Sequence, residues 1–62
     1  MNFCKYRSSD GKIVEISLSE LIPEGEFLVC MANIENFETH NLFVVEVKEN
    51  ILVAHTGYKR EV

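Results

Sequence analysis

A chain of 62 residues, 47% of them hydrophobic, has room for one hydrophobic core and too much apolar content to stay disordered. Its formal charge of −4 comes from acidic residues scattered along the whole length, which disfavours nonspecific attraction to nucleic acid or to anionic membranes. Two cysteines are too few for a disulfide framework, no run approaches the roughly 18 apolar residues of a membrane span, and no cleavable leader is recognisable, so the cytoplasm is the expected compartment.

The first structural signal runs from Asn2 to Leu18, where two strand-like segments flank Ser9-Asp10-Gly11. Asp-Gly is a strong hairpin cue. A two-residue loop would set Val14 against Arg7 and Ile16 against Lys5. A three-residue loop with Gly11 in the left-handed region sets Tyr6 against Val14, Cys4 against Ile16 and Lys5 against Glu15. A slip of one residue turns every side chain over, so agreement of apolar with apolar and of charge with opposite charge selects the three-residue loop.

Beyond Leu18 the alternation stops, and Ser19-Glu20-Leu21-Ile22 reads as one helical turn, capped by Ser19 and ended by Pro23. Pro23-Glu24-Gly25 supplies turn chemistry. The run Phe27-Leu28-Val29-Cys30-Met31 is apolar at both parities, which predicts a central strand covered on both faces. In the stretch from Asn33 to Asn41, Ile34 and Phe37 lie three apart and Asn33 can cap, so a helical turn or two is expected, with a long loop as the alternative.

The second hairpin runs from Leu42 to Tyr58 around Lys48-Glu49-Asn50. A three-residue loop with Asn50 left-handed pairs Val47 with Ile51 and Val45 with Val53 on one face. The reverse face, with Leu42, Val44, Leu52 and Ala54, is also apolar. A domain this small has core enough for one face of a sheet, so the second must meet a helix, a closing barrel or a partner chain.

Cys4, Cys30, His40 and His55 are the right inventory for a tetrahedral zinc site. Structural zinc draws its ligands in close pairs, and here each stands alone, so no metal is expected. Cys30 lies among Leu28, Val29 and Met31, where a thiol packs rather than reacts, although His40 or His55 could in principle serve it as a base. No phosphate loop, Ser-His-Asp signature or helical His-Glu-x-x-His pattern occurs, and neither catalysis nor a cofactor is expected. Two clusters, Lys5-Tyr6-Arg7-Lys12 and His55-Tyr58-Lys59-Arg60, combine aromatic and basic residues as small nucleic-acid-binding barrels do. Glu20, Glu24 and Glu26 group around the Pro23 turn, which suits a phage or mobile-element inhibitor imitating an acidic ligand and equally suits plain solubility.

The resulting expectation is a single domain over residues 1–62, all-β or β-rich α+β. About five antiparallel strands would form a meander or a small partly closed barrel with a short helical connector. Its expected role is noncatalytic binding or regulation through protein–protein contacts, as a homodimer or with another protein. Phe3, Leu42, Phe43, Val44 and Tyr58 are the candidate interaction surface. A nucleic-acid-binding barrel and an inhibitor of a host enzyme are the alternatives.

Overall fold

Dense β-branched and aromatic content gives five strands in the computed structural model, which describes residues 1–61. They are β1 (Asn2–Arg7), β2 (Ile13–Ser17), β3 (Phe27–Ala32), β4 (His40–Lys48) and β5 (Ile51–Lys59). The strand order in the sheet is β2-β1-β3-β5-β4, with antiparallel neighbours except for β3 and β5. The all-β expectation holds and β3 is indeed central, but the path is no meander: β3 lies beside β1 rather than β2, and β5 lies between β3 and β4. No barrel closes. Beside the edge strands β2 and β4, Lys12 forms an isolated bridge with Phe43, and Val44 N donates to Gly11 O at 2.8 Å.

In the first hairpin Cys4 pairs with Ile16 and Lys5 with Glu15, as the side-chain pattern requires. Tyr6 however pairs with Ile13, not Val14, because the register shifts after Lys5 and Val14 becomes the extra residue of a bulge. The loop correspondingly grows to Ser8–Gly11: Arg7 N donates to Lys12 O at 2.9 Å, and Gly11 N donates to Arg7 O at 2.7 Å. Gly11 is left-handed, with φ 80°.

The second hairpin turns through Glu49 and Asn50 alone, both left-handed at φ 54° and 65°. Such a two-residue turn matches the natural twist of the strands it joins, which a three-residue loop does less well. Lys48 therefore faces Ile51 and Val47 faces Leu52, in place of the expected pairing of Val47 with Ile51. The register then shifts on both sides of Glu46, which pairs with Ala54, leaving Val45 and Val53 without register partners before Val44 comes opposite His55.

No helix forms among residues 1–61; of the expected helical turns the first is absent and the second is reduced to a single turn at Asn36–His40. Ser19 to Ile22 is irregular, with Ser19 N donating to Ser17 Oγ at 3.0 Å, because four residues before a proline cannot offset the cost of nucleating a helix. The connection from β3 to β4 has a geometric reason to stay extended. It leaves beside Ile51, where Met31 pairs, and must enter β4 at His40, which pairs with Lys59 at the other end of β5. Those points lie near opposite ends of the nine-residue β5, so most of the nine steps from Met31 to His40 must run extended. At about 1.5 Å per residue a helix would fall far short. Only a tight turn is accommodated, where Asn36 O accepts from Thr39 N and His40 N.

The core is correspondingly small. Cys4, Ile13, Cys30, Ala32, Ile34 and Leu42 are buried, and Tyr6, Ile16, Phe37, Val44, Val47 and Leu52 pack around them. Ile34 and Phe37, whose spacing also fits a helix face, thus both serve the core from the crossover.

Candidate interaction surface

One face of the β4–β5 hairpin supplies the core and the other is apolar and open. Leu42, 3% exposed, belongs to the core, and Val44 packs against it. Both therefore leave the expected surface. Val45 and Val53 point outward, where they are 63% and 54% exposed, and Ile51 is exposed as well. The sequence places these three on the face opposite Leu42 and Val44, as the structure does, but alternation alone does not reveal which of the two apolar faces the core covers.

Phe43 and Tyr58 stack with their ring centroids 6.1 Å apart and 24° between planes. They are diagonal neighbours, Phe43 opposite Thr56 and Tyr58 opposite Asn41, and Tyr58 is 59% exposed. Phe3 is remote from this pair. It lines a shallow cleft of ≈ 230 Å³ with Glu20, Leu21, Pro23, Val29 and Asn50. That is below the roughly 300–1,000 Å³ of ordinary ligand pockets. The five candidate residues hence divide into a core pair, a stacked pair and one cleft residue, while exposed Leu18 and Ile22 add further apolar area on the connector.

The two basic clusters are dispersed by the fold. Tyr6 packs on the core, and Arg7 forms a bidentate pair with Asp10, Nε to Oδ1 at 3.0 Å and Nη2 to Oδ2 at 2.8 Å. That bond, with Lys12 N donating to Oδ1 at 3.0 Å, draws the Asp10 carboxyl down to about 2. At the other end, Arg60 donates to Asn41 Oδ1 at 3.1 Å and to Glu38 O at 3.2 Å, with its guanidinium 5.7 Å from the Phe37 ring centre. Glu20, Glu24 and Glu26 all face solvent.

Cys4 and Cys30 lie directly opposite each other on β1 and β3 as free, fully buried thiols. Burial, reinforced by its neighbour, pushes Cys4 up to about 12, and burial raises Cys30 as well. Thiols held this firmly protonated are poor nucleophiles and poor ligands. His40 is bound by Thr39, its Nδ1 2.8 Å from Oγ1, while His55 is exposed on β5. Among the described residues no three His, Cys, Asp or Glu side chains gather as a metal ion requires, and no helix is long and apolar enough to cross a membrane.

No family model matches the chain, and no curated protein or solved structure matches it. What the fold defines is a small, mostly antiparallel, open all-β domain with Val45, Ile51, Val53 and Tyr58 exposed on its last two strands.

Proposed function

We propose that this chain is a noncatalytic binding or regulatory protein of the cytoplasm that works through protein–protein contacts as a homodimer. The supporting observation is the outward placement of Val45, Val53 and Ile51 on the β4–β5 hairpin, with the exposed Tyr58 farther along β5. Exposed apolar patches larger than a few hundred Å² are uncommon on monomeric proteins and mark contact surfaces. A domain of this size also gains from association, since its own core is small. The reading gives the chain no reaction of its own, in keeping with firmly protonated thiols, and two reduced cysteines suit a reducing compartment.

The nucleic-acid reading loses support, because Tyr6 is drawn into the core and Arg7 and Arg60 are engaged within the chain. Sedimentation equilibrium over a micromolar concentration series tests the proposal. A dimer is expected, with Val45→Asp and Val53→Asp weakening it while leaving the thermal midpoint of the isolated subunit within a few degrees. A monomer throughout the series, with binding to no protein partner, would remove the reading.

A further inference from the structure

We propose that two copies of the chain join along β5, antiparallel and edge to edge, about a twofold axis at Gly57. The inference rests on the homodimer reading above and assigns its contact to a main-chain ladder rather than to the exposed apolar face alone.

The observation is an unoccupied strand edge. β4 pairs with β5 from Ile51 to Lys59, whereas β3 reaches the opposite edge only at Met31 with Ile51. The hydrogen-bonding phase follows from the ends of the ladder. Arg60 N donates to Thr39 O at 2.9 Å, so Arg60 and, in alternation, Tyr58 and Thr56 turn their polar groups toward β4. His55, Gly57 and Lys59 consequently turn theirs away. Val44 agrees: opposite His55, it sends its own N–H outward, to Gly11 O. Among the described residues no main-chain group bonds to the outward N–H and C=O of His55, Gly57 or Lys59, and all three residues are exposed.

Sheet edges are normally defended by charged residues, prolines or short strands. On β5 the charged residue is Lys59, at its end; from Ile51 to Tyr58 the sequence is Ile-Leu-Val-Ala-His-Thr-Gly-Tyr, without Lys, Arg, Asp, Glu or Pro, in a chain of which 26% is charged. β5 is also, with β4, the longest strand at 9 residues.

The pattern is complementary to itself. Set antiparallel with Gly57 opposite Gly57 of the partner subunit, His55 falls opposite Lys59 of the partner subunit, and each outward residue exchanges two hydrogen bonds. On the face that carries Phe43, Thr56 meets Tyr58 of the partner subunit, a favourable β-branched and aromatic cross-strand pair, and the aromatic stack continues across the axis. An unrelated peptide could add to the edge through the same main-chain bonds; what a second copy adds is the pair of Thr56 with Tyr58 of the partner subunit, made twice about the axis.

The test exploits proline, which an edge strand tolerates where its N–H faces outward. His55→Pro and Lys59→Pro each remove an outward donor, twice per dimer, and leave the β4 ladder intact. At about 1 kcal/mol net per bond, each is expected to raise the dimer dissociation constant at least ~30-fold in sedimentation equilibrium. In the natural chain, amide exchange at His55, Gly57 and Lys59 should slow as concentration rises through the association range. A dimer with unchanged affinity in both variants and no concentration-dependent protection at those amides overturns this inference and leaves the homodimer reading standing. A monomer at every concentration overturns both. Should either variant fail to fold, the exchange measurement on the natural chain decides alone.

Discussion

Gly11 carries two separable constraints, and substituting alanine there and at Gly25 measures them apart. Both glycines are left-handed, at φ 80° and 59°, so Ala at either suffers the dihedral penalty of roughly 1–2 kcal/mol. Both substitutions also restrict the unfolded chain equally, so that effect cancels in the comparison. At Gly25 a Cβ would meet nothing within 4 Å. At Gly11 it would lie 2.7 Å from Val44 O and 3.4 Å from Val44 N, the group that donates to Gly11 O and joins the two sheet edges. Backbone must move, which costs about 1–3 kcal/mol for overpacking and about 1 kcal/mol for the lost bond. Gly25→Ala should thus cost about 1 kcal/mol and Gly11→Ala about 3–4 kcal/mol. A domain of this size has only about 3–9 kcal/mol in all. Urea unfolding followed by circular dichroism, at one fixed protein concentration, supplies both values, and amide exchange at Val44 should quicken selectively in Gly11→Ala. Equal destabilisation by the two substitutions would refute the close-approach argument.

Asp10 is the carboxyl most altered by folding, and its lowered pKa means stability that is present above its ordinary value of 3.8 and lost as pH falls toward about 2. Asp10→Ala should lower the urea midpoint at pH 7, and the difference from the natural chain should shrink between pH 4 and pH 2; a difference independent of pH would count against the Arg7 pair. Both thiols hold their protons more tightly in the folded chain, so stability should fall as pH rises above 9, toward about 12 for Cys4. A thiol reagent at pH 8 should label neither cysteine except through unfolding, and rapid labelling would contradict their burial. Arg60→Ala removes two hydrogen bonds and the contact with Phe37, all at the surface, and should cost about 1 kcal/mol by thermal melt. Arg60→Lys should recover little of it, since an ammonium cannot reproduce the forked contacts.

Local chemistry was legible in the residues themselves. Asp10-Gly11 announced a hairpin, the pairing of Cys4 with Ile16 and Lys5 with Glu15 followed from matching side chains, and the two-sided apolar run from Phe27 to Met31 marked the central strand. These depend on neighbours a few residues apart or on burial averaged over a strand, which composition records. The candidate surface was legible only in part: Phe43 and Tyr58 do meet, whereas Leu42 and Val44 turned inward and Val45, Val53 and Ile51 outward, because both faces of the hairpin are apolar and the rest of the sheet decides which one the core covers.

Sequence alone therefore determined that the chain is β-rich, where it turns, and that it carries more apolar strand than one small core absorbs. Tertiary structure decided the strand order, the extended crossover from Asn33 to Thr39, and which edge of β5 stands open. The spacing of Ile34 and Phe37 fits a helix as well as it fits the observed path. Only the distance between the ends of β5 excludes the helix, and that distance exists once β3 and β4 have docked on opposite sides of the strand.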